Sequence, residues 1–146
     1  MRNIKIKVRA LIIKDGKILC VKLKPYEQAV AMDFWCLPGG TVDPFEPIVP
    51  ALEREITEEL GVKADVGTLF CVHQFKIKDI EYLEFFFTIS NPDAFENIDL
   101  SKTSHGQSEI AELDFIDPTT KNLLPEFLQS VDFSNTTDGV KFFNYL

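Results

Sequence analysis

The chain has 146 residues, of which 45% are hydrophobic and 26% charged, and its formal net charge is −8. This composition is typical of a globular domain and argues against intrinsic disorder, and no apolar run approaches the roughly 18 residues of a membrane span. We therefore expect no membrane partner. Because duplex nucleic-acid binders are usually basic, we also expect no duplex nucleic acid as a partner.

The length suits a single domain over residues 1–146. The first residues alternate charged and apolar side chains and lack the apolar core of a signal peptide. Cys20, Cys36 and Cys71 are odd in number and show no CxxC spacing, which favours buried reduced thiols over a disulfide or a zinc site. We therefore expect a cytoplasmic protein.

Periodicity and turn residues define the predicted elements. Asp15-Gly16 between two apolar runs is a strong hairpin signal. In chain order we expect a strand over 3–13, a strand at 18–21, a loop over 24–34, a short strand at 35–37, a helix over 48–60, strands over 63–77 and 81–90, a loop over 91–106, a strand over 110–116, a helix over 118–130, and a tail packed through Val140, Phe142 and Phe143. Strands mixed with a few helices predict an α/β layered domain.

The helix over 48–60 has the clearest boundaries. Pro50 has no N–H to donate and so must lie in the first turn, which places the start near Pro47 or Ile48. Gly61 is well placed as the C-terminal stop. The residues expected to form its apolar stripe are Val49, Leu52, Ile56 and Leu60.

Three carboxylates of this helix, Glu55, Glu58 and Glu59, share an arc of roughly 100° beside the apolar stripe. Such close anions repel one another, and Arg54 on a different arc cannot neutralise all three. Mg²⁺ prefers carboxylate oxygens and would offset the repulsion. A Glu-rich helix by itself is more typical of a solvated surface, so the upstream residues decide between the two interpretations.

Upstream, Gly39-Gly40 ends a short strand, where a free carbonyl near Gly40 could complete the oxygen shell of a metal. Glu46 can reach Arg54 and hold the loop against the helix. Loop and helix would then form one rigid platform for metal ions.

The segment Gly40, five residues, Glu46, seven residues and then Arg54-Glu55-Ile56-Thr57-Glu58-Glu59-Leu60-Gly61-Val62 resembles the Nudix box of the Nudix hydrolases (MutT-like). The preceding Trp35-Cys36-Leu37-Pro38 is similar to the family's approach to the box. The resemblance covers nearly the whole chain and implies an α/β/α sandwich with a mixed β-sheet. It also implies hydrolysis of a nucleoside diphosphate linked to another moiety, with Mg²⁺ or Mn²⁺.

The resemblance implies that Glu55, Glu58 and Glu59 bind metal, with a carbonyl of the Gly40 region, and that Glu46 and Arg54 orient them. Relatives take the general base from the box or from a later loop. The base is therefore open between Glu55, Glu109 and Glu112, and we favour Glu109 because it lies nearer the loop. Many relatives dimerise, so a homodimer is also open.

Substrate contacts are predicted from basic and aromatic residues. Lys22 and Lys24 alternate on one strand and should share a face, with Arg9 on the partner strand. Relatives often have Gly in the position of Phe45, so we expect Phe45 to shape the loop or wall the pocket and to influence specificity. The side chains that could stack on a base are Trp35, Phe45, Phe75 and Tyr82.

Nucleoside triphosphates, including oxidised ones, and sugar nucleotides stay open as substrates. A Nudix-like sensor that binds nucleotides without turnover is the main alternative to an enzyme. The enzyme is favoured because every box carboxylate is present. A third interpretation, an acidic-helix interaction module, leaves the spacing from Gly40 to Glu46 unexplained.

Overall fold

The computed structural model describes residues 2–24 and 33–146. The predicted loop over 24–34 therefore falls mostly outside the described residues. The strands are β1 (Ile4–Leu11), β2 (Ile13–Lys14), β3 (Lys17–Leu23), β4 (Gly39–Thr41), β5 (Val66–Ile77), β6 (Ile80–Ile89), β7 (Ile110–Ile116) and β8 (Lys141–Tyr145). The helices are α1 (Ile48–Leu60), α2 (Gly106–Glu109) and 3₁₀ helices at Pro92–Phe95, Leu100–Lys102 and Glu126–Gln129.

The strands form a five-stranded sheet, in the order β4-β1-β6-β5-β8, and a three-stranded sheet, in the order β2-β3-β7. The larger sheet is mixed, because β1 pairs with β6 and β5 with β8 in parallel while the other pairs are antiparallel. The central strand β6, which was predicted as a strand over 81–90, buries Phe86, Phe87 and Ile89. The α/β class with a mixed sheet is confirmed.

Two sequence signals for local structure are confirmed. The hairpin between β2 and β3 turns at Asp15 and Gly16, whose φ angles of 52° and 76° are those of a primed turn. Helix α1 begins after Pro47 and ends at Gly61, which adopts the left-handed conformation and donates its N–H to the Thr57 carbonyl. These two positions fix where the acidic helix starts and stops.

Helix α1 buries Ala51, Leu52, Ile56 and Leu60 against both sheets. The prediction that Val49 belongs to this stripe is wrong, since its side chain is 38% exposed. Val49 lies in the first turn and is not part of the apolar cluster, whereas its neighbour Ile48 is partly buried against it and Ala51 is fully buried. The small Ala51 therefore brings the N-terminal half of the helix close to the core.

The predicted helix over residues 118–130 is wrong. The segment is mostly turns and ends in the 3₁₀ helix Glu126–Gln129, because Pro125 cannot continue a helical hydrogen-bond ladder. Phe127 and Leu128 nevertheless pack in the core. The predicted short strand at residues 35–37 is reduced to isolated bridges, which link Trp35 to Leu123 and Cys36 to Val21.

The C-terminal tail, which was predicted to pack through Val140, Phe142 and Phe143, forms β8 beside β5. Phe143 packs against the core, as expected, but Val140 and Phe142 are 55% and 59% exposed. The strand's alternation explains the difference, since neighbouring side chains point to opposite faces. Cys20, Cys36 and Cys71 are free thiols. In the described part of the chain, none of the helices has the length and apolar character needed to cross a membrane.

Candidate active site

Helix α1 brings two of its three candidate carboxylates, Glu55 and Glu59, to a cavity of about 490 Å³ that lies between the helix, β1 and β4, whereas Glu58 does not line this cavity. Glu59 is the most deeply placed of the three, only 7% exposed, and its Oε2 accepts a hydrogen bond from the Gly39 N–H at 3.2 Å. Glu55 lines the same cavity and is half-buried. Among the residues that the structure describes, the lining comprises Lys7, Arg9, Val21, Leu23, Lys24, Cys36, Leu37, Gly39, Gly40, Thr41, Asp43, Glu55, Glu59, Ser108 and Glu109.

Arg54 joins the loop before α1 to the carboxylates on it. Its Nε and Nη2 donate to the two oxygens of Glu46 at 2.8 and 2.9 Å. Its Nη1 donates to Glu55 at 3.2 Å and to Glu58 at 3.2 Å. The Arg54 guanidinium, helped by the Asp43 N–H, lowers the pKa of Glu46 to about 2. The contact predicted between Glu46 and Arg54 is therefore present, and Arg54 reaches Glu55 and Glu58 but not Glu59.

Few neighbouring cations or hydrogen-bond donors offset the negative charge of the deepest carboxyl groups, Glu59 and Glu55. Burial is the largest cause that raises the pKa of Glu59, to about 8, and the carboxylates of Glu55 and Glu109 raise it further against the opposing charge of Arg9. Burial also raises the pKa of Glu55. A buried carboxylate is costly unless a cation or donors offset its charge. The cavity therefore favours a cationic ligand beside these groups.

The donor set fits a hard divalent cation. Carboxylate oxygens and a backbone carbonyl are the ligands that Mg²⁺ and Mn²⁺ prefer. Gly40 leaves the space against Glu55 open, because a Cβ there would collide with the Glu55 carboxyl group. Within residues 2–24 and 33–146, no three acidic, His or Cys side chains are arranged so that they could hold a metal ion by themselves. Mg²⁺ does not need one, since it usually takes one or two carboxylates together with water and substrate phosphates.

Glu109 lies in the cavity wall because Gly106 lets α2 approach α1 closely. A Cβ on Gly106 would collide with the Glu59 carbonyl oxygen, and the His105 N–H donates to the Glu58 carbonyl at 2.9 Å. The rival candidate Glu112 does not line this cavity and instead lies 3.4 Å from Lys22. In the sequence, the only signal for this close approach is a Gly three residues before the candidate base Glu109.

The predicted shared face of Lys22 and Lys24 is wrong. Lys24 lies beyond the end of β3, where the register against β7 shifts because Ala111 of β7 is left without a partner. Lys24 lines the cavity and donates to the Gln107 carbonyl at 2.8 Å. Lys22 points elsewhere, toward Asp33 at 3.2 Å and over the ring of Trp35.

Two further expectations about substrate contacts need correction. Arg9 lines the cavity, but its strand β1 pairs with β4 and β6 and not with β3. The predicted first strand is interrupted at Ile12, so that of its two parts only the short β2 pairs with β3. Phe45 is fully exposed, has a φ of 63° and does not line the cavity, so it is not a pocket wall in this structure.

Lys7 lines the cavity and was missed in the sequence. Burial is the largest cause that lowers its pKa, and Arg9 lowers it further. In the described part of the chain Lys7 makes no ion pair within 4.0 Å, while Arg9 is paired with Glu84 at 2.8 Å. The signal was available, because residues two apart on a strand share a face and Lys7 precedes Arg9 by two.

A second cavity, of about 310 Å³, shares Arg9, Cys36 and Leu37 with the first. Its lining is mostly apolar and includes the rings of Phe34, Phe75 and Phe86; the other residues are Ile77, Leu124, Pro125 and the polar pair His73 and Glu84. Of the proposed stacking residues, Phe75 lies in this wall and stacks on Tyr82 at 4.9 Å between ring centroids. A polar, charged cavity thus adjoins an aromatic one.

Gly40→Ala is expected to abolish most turnover while leaving the fold largely intact. The added Cβ would displace the Glu55 carboxyl group, which is the free end of a flexible side chain and can move. We expect kcat to fall at least about tenfold, the lower end of the effect of disturbing metal-ligand orientation. Circular dichroism and steady-state kinetics would measure fold and turnover.

Gly39→Ala is the matched control for Gly40→Ala. Gly39 has a φ of 150° and its Cβ would collide with the Val8 carbonyl in the backbone of β1, which cannot move aside. This variant should lose stability as well as activity. An active Gly40→Ala enzyme with wild-type metal dependence would contradict the placement of Glu55 beside Gly40.

Residues 4–129 match the NUDIX domain. The chain is 32% identical over 129 residues to a provisionally named 8-oxo-dGTP diphosphatase of Bacillus subtilis (strain 168), covering 85% of this chain and 79% of that protein. It is 43% identical over 67 residues to the CTP pyrophosphohydrolase of Escherichia coli (strain K12), a match that covers 46% of this chain and spans only 48% of that relative.

The crystal structure of a MutT NUDIX hydrolase from Burkholderia pseudomallei has a similar fold. It superposes with a TM-score of 0.64 at 28% identity, covering 80% of this chain and 85% of that one. This similarity confirms the Nudix-type sandwich expected from the sequence. The matched domain contains the cavity, the acidic helix and the Gly40 loop, and with these features the chain belongs to the Nudix hydrolase family.

Proposed function

We propose that the chain hydrolyses a diphosphate linkage in a small nucleotide, with Mg²⁺ or Mn²⁺ as cofactor. The observation that carries this proposal is the meeting of Glu55, Glu59 and Glu109 with Lys7 and Lys24 around one cavity. An acidic site that binds an anionic diphosphate needs acidic side chains, which can hold a cation, and also basic side chains, which can hold phosphate. The similarity to a CTP pyrophosphohydrolase and to a provisionally named 8-oxo-dGTP diphosphatase supports a nucleoside triphosphate as the substrate.

The residues that would hold the metal are Glu55, Glu58, Glu59 and the carbonyl of Gly40. When bound, such an ion would neutralise phosphate charge and acidify the attacking water. Glu46 and Arg54 would keep the carboxylates oriented through the contacts described above.

The phosphate chain would lie against Lys7 and Lys24, which are the cavity lysines. Water attacks one phosphorus, an O–P bond forms, and the bridging O–P bond on the far side breaks. Glu109 accepts the proton of the attacking water, since its carboxylate lies in the cavity wall and is free of the Arg54 network. For a nucleoside triphosphate cut at the α–β bridge, the leaving group is pyrophosphate when the α-phosphorus is attacked and the nucleoside monophosphate when the β-phosphorus is attacked.

The aromatic cavity would take the base of the nucleotide. Its volume of about 310 Å³ is in the range of small-ligand pockets, and the rings of Phe34, Phe75 and Phe86 give it aromatic surface against which a base can pack. Because Arg9, Cys36 and Leu37 border both cavities, a single nucleotide can extend from one to the other.

The test is a panel of nucleoside triphosphates, oxidised nucleotides and sugar nucleotides, assayed with Mg²⁺, with Mn²⁺ and with a chelator. We expect turnover of at least one nucleotide with either metal and none with the chelator. Binding without turnover across the panel would overturn hydrolysis and favour the nucleotide sensor. Product analysis would show which phosphorus is attacked.

Glu109→Gln is expected to lower kcat by about a hundredfold, since loss of a general base typically costs 10²–10⁴-fold. Glu112→Gln is the matched control, because it lies three residues away but outside the cavity beside Lys22. It should retain wild-type kcat. Steady-state kinetics on the preferred nucleotide would measure both. Loss of activity only in Glu112→Gln would reassign the base, and full activity in both would favour Glu55.

A further inference from the structure

Three paired side chains, Arg9, Glu84 and His73, form a largely buried ionic chain at the border of the two cavities. Arg9 Nε donates to Glu84 Oε2 at 2.8 Å, and His73 Nδ1 lies 3.0 Å from Glu84 Oε1. Glu84 and His73 are both buried and face each other from β6 and β5. Burying such a chain costs desolvation and adds little net stability by itself, whereas it fixes the orientation of each member.

Arg9 has donor capacity beyond this chain. Its Nη1 donates to the Leu37 carbonyl at 3.3 Å, and among the described residues Nη2 has no acceptor. No buried side-chain nitrogen or oxygen in the described ranges lacks a partner, so Nη2 must reach an opening. Arg9 lines both cavities, so its remaining N–H groups face these cavities.

The charge of Arg9 is already balanced by Glu84, with which it forms a close ion pair. Lys7 and Lys24 make no ion pair in the described part of the chain and are better suited to phosphate. Arg9 can still orient a ligand through directional hydrogen bonds, because a guanidinium presents parallel N–H groups in a rigid fork. Such a fork matches two adjacent hydrogen-bond acceptors on a planar ligand.

We infer that Arg9 determines base specificity, with Glu84 and His73 as positioning residues. This inference rests on the proposed function for the nucleotide and its place in the aromatic cavity. Guanine presents O6 and N7 as adjacent acceptors, and cytosine presents O2 and N3, so both match the fork. Adenine and uracil place a donor beside each acceptor on the corresponding edges and do not match it.

The test measures the dissociation constants of GMP, CMP, AMP and UMP by calorimetry, without added metal. GMP and CMP should bind the wild-type protein about tenfold or more tightly than AMP and UMP, the discrimination expected of one two-point contact. Equal affinities for the four, or no binding of any of them, would overturn the inference. Binding of monophosphates does not require hydrolysis, so this result is independent of whether the nucleotide panel shows turnover.

Variants then assign the preference to Arg9. Arg9→Lys keeps a cation beside Glu84 and should fold, but it loses the fork, so the preference should fall to less than about threefold. His73→Gln should reduce the preference partially, which a merely structural role would not do because all four affinities would then change together. A wild-type preference in folded Arg9→Lys would overturn the assignment.

Arg2→Lys is the matched control for the Arg9 variant. Arg2 also pairs with a glutamate of β6, Glu81 at 2.7 Å, but it is exposed and lines neither cavity. The same chemical change at Arg2 should leave the base preference unchanged. A loss of preference at Arg2 equal to that at Arg9 would also overturn the inference.

Discussion

Glu59→Gln should lower kcat by about a hundredfold or more while the protein stays folded. Glu59 is the deepest of the helix carboxylates, and a neutral amide there cannot supply the negative charge that a divalent ion needs. The amide oxygen can still accept the Gly39 N–H, and the substitution removes a poorly compensated buried acid. We therefore expect an unchanged or slightly higher Tm, measured by differential scanning fluorimetry beside steady-state kinetics.

Glu58→Gln should also lower kcat, but without a gain in Tm, because its carboxylate is more exposed and contacts Arg54. Glu53→Gln is the matched control, since it changes the same residue type on the same helix, and in the described part of the chain Glu53 neither lines the cavity nor forms an ion pair with Arg54. It should keep wild-type kcat. Full activity in both Glu58→Gln and Glu59→Gln would exclude the assigned metal site.

Arg54→Ala should reduce both stability and activity. It removes the guanidinium that contacts Glu46, Glu55 and Glu58, and it leaves these carboxylates facing one another. Because the Arg54 side chain is partly exposed, solvent screens much of the effect, and we expect a Tm decrease of about 3–5 °C, corresponding to roughly 1 kcal/mol. The activity should fall further than stability accounts for, because the loop and the helix are no longer joined.

The control for Arg54→Ala is Arg54→Lys, which keeps the charge but cannot form the two parallel contacts to Glu46. It should recover part of the stability and little of the activity. Wild-type kcat in a folded Arg54→Ala protein, measured well below its Tm, would contradict the orienting role.

The sequence predicted the acidic helix well because its limits are set by local chemistry. Pro47 and Pro50 restrict the first turn and Gly61 adopts the left-handed conformation at the end, so no tertiary contact was needed to place the helix. The spacing of Glu46 and Arg54 likewise predicted their contact, because one residue is on the helix and the other on the short loop before it.

Other features depend on strand pairing, which local patterns do not reveal. The ion pair of Arg9 and Glu84 joins β1 to β6 across 75 residues of sequence, and only the parallel register of these strands brings them together. The separation of Lys22 from Lys24 depends on where β3 ends and on a register shift against β7, and no residue type in the sequence predicts either. The 118–130 segment was predicted as a helix because apolar spacing outweighed Pro125, which should have ended it.

The most direct test of the metal site is a calorimetric titration of the wild-type protein and of Glu59→Gln with Mn²⁺, with and without a nucleotide. We expect the wild-type protein to bind Mn²⁺, more tightly with nucleotide because phosphate oxygens complete the coordination. Glu59→Gln should bind it at least about tenfold more weakly. Absence of Mn²⁺ binding by the wild-type protein, even with nucleotide present, would contradict the proposal that the carboxylates of α1 hold a catalytic cation.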